Sequence, residues 1–177
     1  MTALVTRPLR RDEVETVWSI DRSEVIERIY VMRDGALELK PAFFDVRGWP
    51  PNEDAIYTPQ LYAAFDRGAT FTGVFDGAQL AAVAVVDTKP VGVARDLVQL
   101  LFLHVGRLYR DRGLGAELFE QARGIARERG ARGLYVSATP SEHTVRFYTR
   151  MGCRVLAEPD PELFADEPED IHFECPV

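Results

Sequence analysis

The residues best placed to do chemistry lie between 105 and 118, in the run V-G-R-L-Y-R-D-R-G-L-G-A-E-L. An apolar stretch ends at Val105, a basic loop with Arg107, Arg110 and Arg112 follows, and Gly113 and Gly115 open an amphipathic segment. A helix N-terminus presents unpaired N–H groups and about half a positive charge. Glycines there let a ligand approach the backbone without meeting a Cβ. Such a strand–loop–helix unit is a cradle for a phosphate or pyrophosphate. It is not a P-loop, since no GxxxxGK[ST] run exists, and the dinucleotide pattern GxGxxG fails because Leu118 holds the third glycine position. What remains is R-x-x-G-x-G, at Arg110, Gly113 and Gly115.

Thirty residues further on lies S-E-H-T-V-R-F-Y-T-R-M-G-C. Ser141 is placed to cap a helix that carries Tyr148 and stops at Gly152. A phenol on such a helix is either a core aromatic or a proton donor with a pKa near 10.

The elements that must position these groups read as follows. Residues 4–9 form a strand, and Asp12 caps a helix with Val14, Val17 and Trp18 on one face. Residues 23–32 read as a second helix, closed by a turn at Asp34-Gly35. Residues 36–57 read as an irregular or extended loop with aromatic anchors, and Thr58-Pro59 as the start of a short helix ending at Gly68. Asp76-Gly77 marks a hairpin between strands 70–75 and 79–87. Residues 97–105 read as a buried central strand, 113–129 as the main helix, 134–138 as another buried strand and 141–151 as a helix. Strands 153–157 and 171–175 close the chain around the acidic segment E-P-D-P-E-L-F-A-D-E-P-E-D. Interleaved strands and helices give one α/β domain over 1–177. Its parts are an N-terminal region 1–68 on the acceptor side, a core 69–155 and a closing region 156–177.

With R-x-x-G-x-G after a buried strand and the tyrosine helix downstream, residues 70–155 resemble the GNAT superfamily, the Gcn5-related N-acetyltransferases. The resemblance implies an α+β fold with a mostly antiparallel mixed sheet of about seven strands, a splayed central pair and about four flanking helices. It implies acetyl transfer from acetyl-coenzyme A to a primary amine. Backbone N–H groups of Arg112, Gly113, Leu114, Gly115 and Ala116 would bind the pyrophosphate, with Arg110 in the same motif. Main-chain groups of Leu103 and Val105 would receive the pantetheine arm, Ser141 would contact the coenzyme, and Tyr148 would protonate the leaving thiolate. In many relatives a glutamate on the central strand deprotonates the amine. Gln99 stands at that position and cannot, which leaves His104, Asp96, Glu24 and Glu27 as candidates.

The acceptor stays open on this evidence. A small cationic amine fits the aromatics Phe43, Phe44, Trp49, Tyr57 and Tyr62 and the acids of 158–170, though each set equally suits a loop anchor or a solvated face. A protein N-terminus or lysine is the second enzyme reading, and a coenzyme-A-binding sensor the third. A net charge of −7 argues against a phosphate-backbone partner. Three scattered histidines and no HExxH give no reason to expect a metal. No apolar run reaches the roughly 20 residues of a membrane span, and no signal peptide is legible, so a cytoplasmic protein is expected. Cys153 and Cys175 are then expected to be two buried thiols. The family resemblance adds a homodimer.

Overall fold

The computed structural model describes residues 3–177. Seven strands form one sheet in the order β1 (Val5–Pro8), β4 (Thr70–Asp76), β5 (Gln79–Val91), β6 (Leu97–Val105), β7 (Gly133–Ala138), β9 (Ile171–Pro176) and β8 (Arg154–Val155). Every neighbouring pair is antiparallel except β6 and β7. Among the described residues four α-helices flank it: α1 (Glu53–Asp66), α2 (Leu114–Glu128), α3 (Glu142–Arg150) and α4 (Pro161–Asp166). This is the fold class that the resemblance implies.

The sheet divides two cores. On one face α2 buries Leu114, Leu118, Phe119, Ala122 and Ala126 against Val98, Leu134 and Val136 of the central strands. Those helix positions recur at three and four residues, so one apolar stripe faces the sheet. On the other face α1 and the 3₁₀ helix Arg11–Ser19 cover Phe71, Val83 and Val85 with Val14, Val17, Leu61 and Ala64. Arg129, just past α2, clamps the helix to the sheet through the carbonyls of Val86 (3.0 Å) and Gly68 (3.0 Å) and the Thr70 hydroxyl (2.8 Å). No helix among the described residues is long and apolar enough to cross a membrane.

Three sequence expectations are corrected. Residues 23–32 are not helical: β2 (Glu24–Arg33) pairs antiparallel with β3 (Ala36–Val46) as a separate two-stranded ribbon, so 36–46 is not an irregular loop either. Asp34 and Gly35 both have positive φ (50° and 79°), the geometry of a tight hairpin turn. The β-branched Val25, Ile26, Ile29 and Val31 favour a strand once that turn forms. Second, α1 starts at Glu53, six residues before Pro59, which lies inside the helix. Third, the cysteines are not free: Arg154 lies opposite Glu174, which puts Cys153 beside Cys175, and the two form a disulfide.

Candidate active site

The site begins where the sheet opens. Strand β6 pairs with β7 only at Leu97, Val98 and Gln99, while its pairing with β5 continues to Val105. Beyond Gln99 one edge of β6 therefore has no strand beside it. The Gly106 N–H donates to the Ala81 carbonyl at 2.8 Å. Backbone groups alternate in direction along a strand, so His104 also turns toward β5, and Leu103 and Val105 turn toward the gap. The expected edge is present, with one difference: the Val105 carbonyl already accepts the Arg110 Nε–H at 3.1 Å. Side chains alternate as well. Leu103 and Val105 pack toward α2 and α3, while Phe102 and His104 face the other way.

At the end of β6 the chain turns into α2. Asp111 and Gly113 take positive φ (60° and 83°), and no side chain caps the helix. The first N–H groups, at Leu114, Gly115 and Ala116, are thus open to an anion, and these residues line a cavity of about 1210 Å³. A Cβ at Gly113 would meet nothing within 4 Å, and one at Gly115 would only touch Phe147 (3.6 Å) and Val105 (3.7 Å), so protein atoms leave room here for a ligand. The arginines play other parts than their charge suggests. Arg110 spans the Val105 and Ser23 carbonyls (3.1 and 3.0 Å), tying the loop to β6 and the N-terminal region. Arg112 lies over the Tyr109 ring at 5.7 Å and does not line the cavity.

Tyr148 projects from α3 between Phe119, Phe147 and Phe173, with ring centroids 5.1–5.9 Å away. It is only 6 % exposed, yet it lines the cavity, and among the described residues its hydroxyl has no hydrogen-bond partner. Burial pushes the phenol well above its ordinary pKa, so it stays protonated. Ser141 caps α3 through the Thr144 N–H (3.3 Å) and is 2 % exposed; it does not line the cavity.

The far side of the same cavity is acidic. The segment after β8 is held over it by a buried chain of hydrogen bonds. Asp160 accepts from the N–H groups of Gly92 (2.8 Å), Glu162 (3.0 Å) and Leu163 (3.3 Å). The Asp160 N–H donates to the Tyr135 hydroxyl (3.1 Å), which donates to Nδ1 of His172 (2.7 Å). Nε2 of His172 then carries the proton and donates to the Glu167 carbonyl (3.0 Å). This clamp places Asp166, Glu167 and Asp170 in the cavity, facing Glu53 and Tyr57 of α1. Burial and then Glu167 push the Asp170 carboxyl up to about 7, with Arg22 opposing. Burial also raises Glu167 and Glu53. Arg22 lies 3.7 Å from Glu53 and over the Trp49 ring at 4.9 Å. Trp49 packs against Trp18 and His104, both at 4.8 Å between centroids. Burial, with Arg22 and Arg110, drives His104 down to about 3, which keeps it neutral.

The sequence profile of the Acetyltransferase (GNAT) family matches residues 36–153. The chain belongs to that family. No match is found among curated protein sequences. Solved structures share the fold over nearly the whole length. A nourseothricin acetyltransferase is 21 % identical with a TM-score of 0.72, covering 99 % of this chain and 100 % of its own. A Bacillus anthracis protein assigned as a streptothricin acetyltransferase, solved with acetyl coenzyme A, is 15 % identical with a TM-score of 0.64 (99 % and 98 %). The ribosomal-protein-S18-alanine N-acetyltransferase of Escherichia coli is 17 % identical with a TM-score of 0.60 (99 % and 94 %).

For a GNAT acetyltransferase, the structure brings together Tyr148, Leu103, Val105, Arg110, Gly113, Leu114, Gly115 and Ala116, and leaves Ser141 and the Arg112 side chain outside. Of the candidate bases, Asp96 is paired with Arg132 at 2.6 Å and Glu27 is exposed; neither lines the cavity, whereas Glu24 and His104 do. Of the aromatics proposed for the acceptor, only Tyr57 lines it directly; Trp49 backs the His104 wall. Tyr62 bonds Glu15 at the surface (3.0 Å), and Phe43 and Phe44 point outward from the β2–β3 ribbon. Sequence reasoning missed Arg22 and Glu53. Neither belongs to a motif, and only the folding of α1 against the segment before β2 joins them.

Proposed function

We propose that this enzyme transfers the acetyl group of acetyl-coenzyme A to a primary amine of a small, cationic molecule. The observation that carries the reading is one cavity with two chemistries. Uncapped helix amides and the open β6 edge line one end, and four carboxylates, Glu53, Asp166, Glu167 and Asp170, line the other. Its volume of about 1210 Å³ exceeds the usual range for a single small ligand, which leaves space for a donor and an acceptor together. The names of two structural neighbours point the same way, since nourseothricin and streptothricin are the acceptors they carry.

The donor site fits its ligand. The amides of Gly113, Leu114, Gly115 and Ala116 would hold the pyrophosphate, and the free main-chain groups of Leu103, with the Val105 N–H, would align the arm. Once bound, acetyl-coenzyme A supplies an activated acetyl group as a thioester. The chain supplies the rest. Backbone donors on the β6 edge face the site of developing negative charge. Tyr148 holds a proton beside it and delivers it to the departing sulfur. The Trp49, Phe102 and His104 wall excludes water on the acceptor side.

A protein N-terminus or lysine is less well served. Helices α1 and α4 both line the acidic end and crowd it with side chains, which suits a small acceptor better than an extended peptide. A thiol-release assay with acetyl-coenzyme A tests the choice. Polyamines, lysine derivatives and aminoglycoside-type amines are expected to turn over, with KM rising as salt screens the carboxylates. Equal turnover of neutral amines or of peptide N-termini overturns the cationic reading. Coenzyme binding without turnover of any amine would favour the sensor reading. The donor site itself is checked by thermal stabilisation, about 2.7 kcal/mol with coenzyme A at 100 times Kd.

A further inference from the structure

Gln99, at the apex where β6 and β7 part, lines the cavity but cannot accept a proton. The amine must still lose a proton, so another group in the cavity has to take it. Among the described residues nine carboxylates line the cavity, and most are committed. Asp87 is bound by both arms of Arg67, at 2.9 and 2.6 Å. Asp160 caps α4 and holds Gly92. Glu53 faces Arg22. Asp111 belongs to the loop that leads into the anion cradle. Glu162 and Asp166 are exposed on α4, and Ser137 draws on Glu167. Glu24 and Asp170 are left.

Their places differ. Glu24 begins the β2–β3 ribbon next to Ser23, whose carbonyl takes Arg110 at the donor end. Asp170 immediately precedes β9, and Ile171 pairs with Ala138, the last residue of β7. It therefore stands at the mouth of the splay, among the acids that would gather a cation, and among the described residues its carboxylate has no salt bridge or hydrogen bond. We infer that Asp170 is the general base that deprotonates the acceptor amine. The inference rests on the small-amine reading above.

The step balances as follows. R–NH₃⁺ gives one proton to the Asp170 carboxylate. The freed nitrogen lone pair forms the N–C bond to the acetyl carbon, and the C–S bond breaks with its electron pair on sulfur. Tyr148 gives sulfur its proton. The second proton lost by nitrogen restores the phenol through solvent, and Asp170 releases its own to solvent after product leaves. A carboxylate with a pKa near the working pH is a far better base than an ordinary one. Burial sets that value first, then Glu167 before β9, with Arg22 as the opposing cation; Glu53 and Tyr57 on α1 and Asp166 on α4 line the same end of the cavity. A bound cationic acceptor would pull it down, which favours the ionised base only when substrate is present.

The test compares wild type, Asp170→Asn, Asp170→Glu and Glu24→Gln with the best amine of the panel. Wild-type kcat/KM should rise with pH along an acid limb near 7. Asp170→Asn should remove that limb and lower kcat at pH 8 by about 100-fold or more, and Asp170→Glu should restore part of both. Loss of the limb in Glu24→Gln, or its survival in Asp170→Asn, overturns the assignment. Melting temperature gives a readout free of turnover. A carboxyl raised in the folded state destabilises the fold as pH climbs from the unfolded value near 4 through 7. Asp170→Asn should therefore melt higher than wild type at pH 8 and no differently at pH 4. Equal melting at both refutes the perturbed base. If wild type acetylates no amine in the panel but this melting difference is present, the acceptor reading fails and the perturbed carboxyl stands.

Discussion

The two ends of the cavity are built in different ways. The proposed donor end is mostly main chain: the amides of Leu114 to Ala116 and the β6 edge at Leu103, joined by one phenol fixed in an aromatic box. The proposed acceptor end is side chains, gathered from the segment before β2, from α1, from β6 and from the loop before β9. Backbone recognition needs only a strand end, a loop and a helix start, so it is written in a short local signature. Side-chain recognition draws on positions more than a hundred residues apart and leaves no signature. The energetics differ too. Donor-end groups are hydrogen-bonded in the secondary structure or left as open donors, whereas Asp170, Glu167 and Glu53 are carboxyls whose ionisation burial opposes. The acceptor end thus carries a stability cost that rises with pH, and the clamp from Asp160 through Tyr135 to His172 holds it in place.

The largest effect that bears on this contrast should come from Tyr148→Phe. Removing the proposed proton donor should lower kcat by about 100- to 10,000-fold. The acceptor KM should barely move, because the ring keeps its packing against Phe119 and Phe173. Full kcat across the pH range would remove Tyr148 from the chemistry. Gly113→Val comes next. A β-branched residue at φ 83° is strained by about 1–3 kcal/mol, and the first amides of α2 would shift with it. Steady-state kinetics should show donor KM raised about tenfold with acceptor KM unchanged. A rise in both would mean that the two ends are not separable.

How much of this was legible follows the same division. The strand at 97–105, the helix behind Gly113 and the cap at Ser141 were readable because each has its own period, breaker and cap. The ribbon was not. Val25, Ile26, Ile29 and Tyr30 are spaced as a helix would space them, and only the pairing partner at 36–46 decides for a strand. Tertiary pairing overrode a local period. In the same way Arg110 reads as a phosphate ligand by charge, and becomes a backbone tie because Ser23 and Val105 are brought to it by the fold. Asp170 was one acid in a run of acids until the β7–β9 register set it apart.

A smaller effect separates position from function within the tyrosine helix. Ser141→Ala should cost about 1 kcal/mol of stability, since the Thr144 N–H loses its cap. Thermal melts should register that loss while donor KM stays put, because the hydroxyl does not reach the cavity. A donor KM raised several-fold would restore Ser141 to the donor site.

The smallest expected effect is the one that fixes where the acceptor end stops. Phe43 is 72 % exposed and Phe44 52 %, both on β3 and outside the cavity lining. Aromatics this exposed contribute little to the fold, so Phe43→Ser should change stability by less than about 0.5 kcal/mol. Acceptor KM should be unchanged as well. If it rises several-fold, the ribbon folds over the bound amine and the acceptor end extends to β3. A lower sedimentation coefficient with unaltered kinetics would instead place Phe43 in a contact between two copies of the chain. That outcome would separate assembly from recognition on a ribbon that leaves Phe43 and Phe44 exposed while Tyr30 and Leu37 pack on the core.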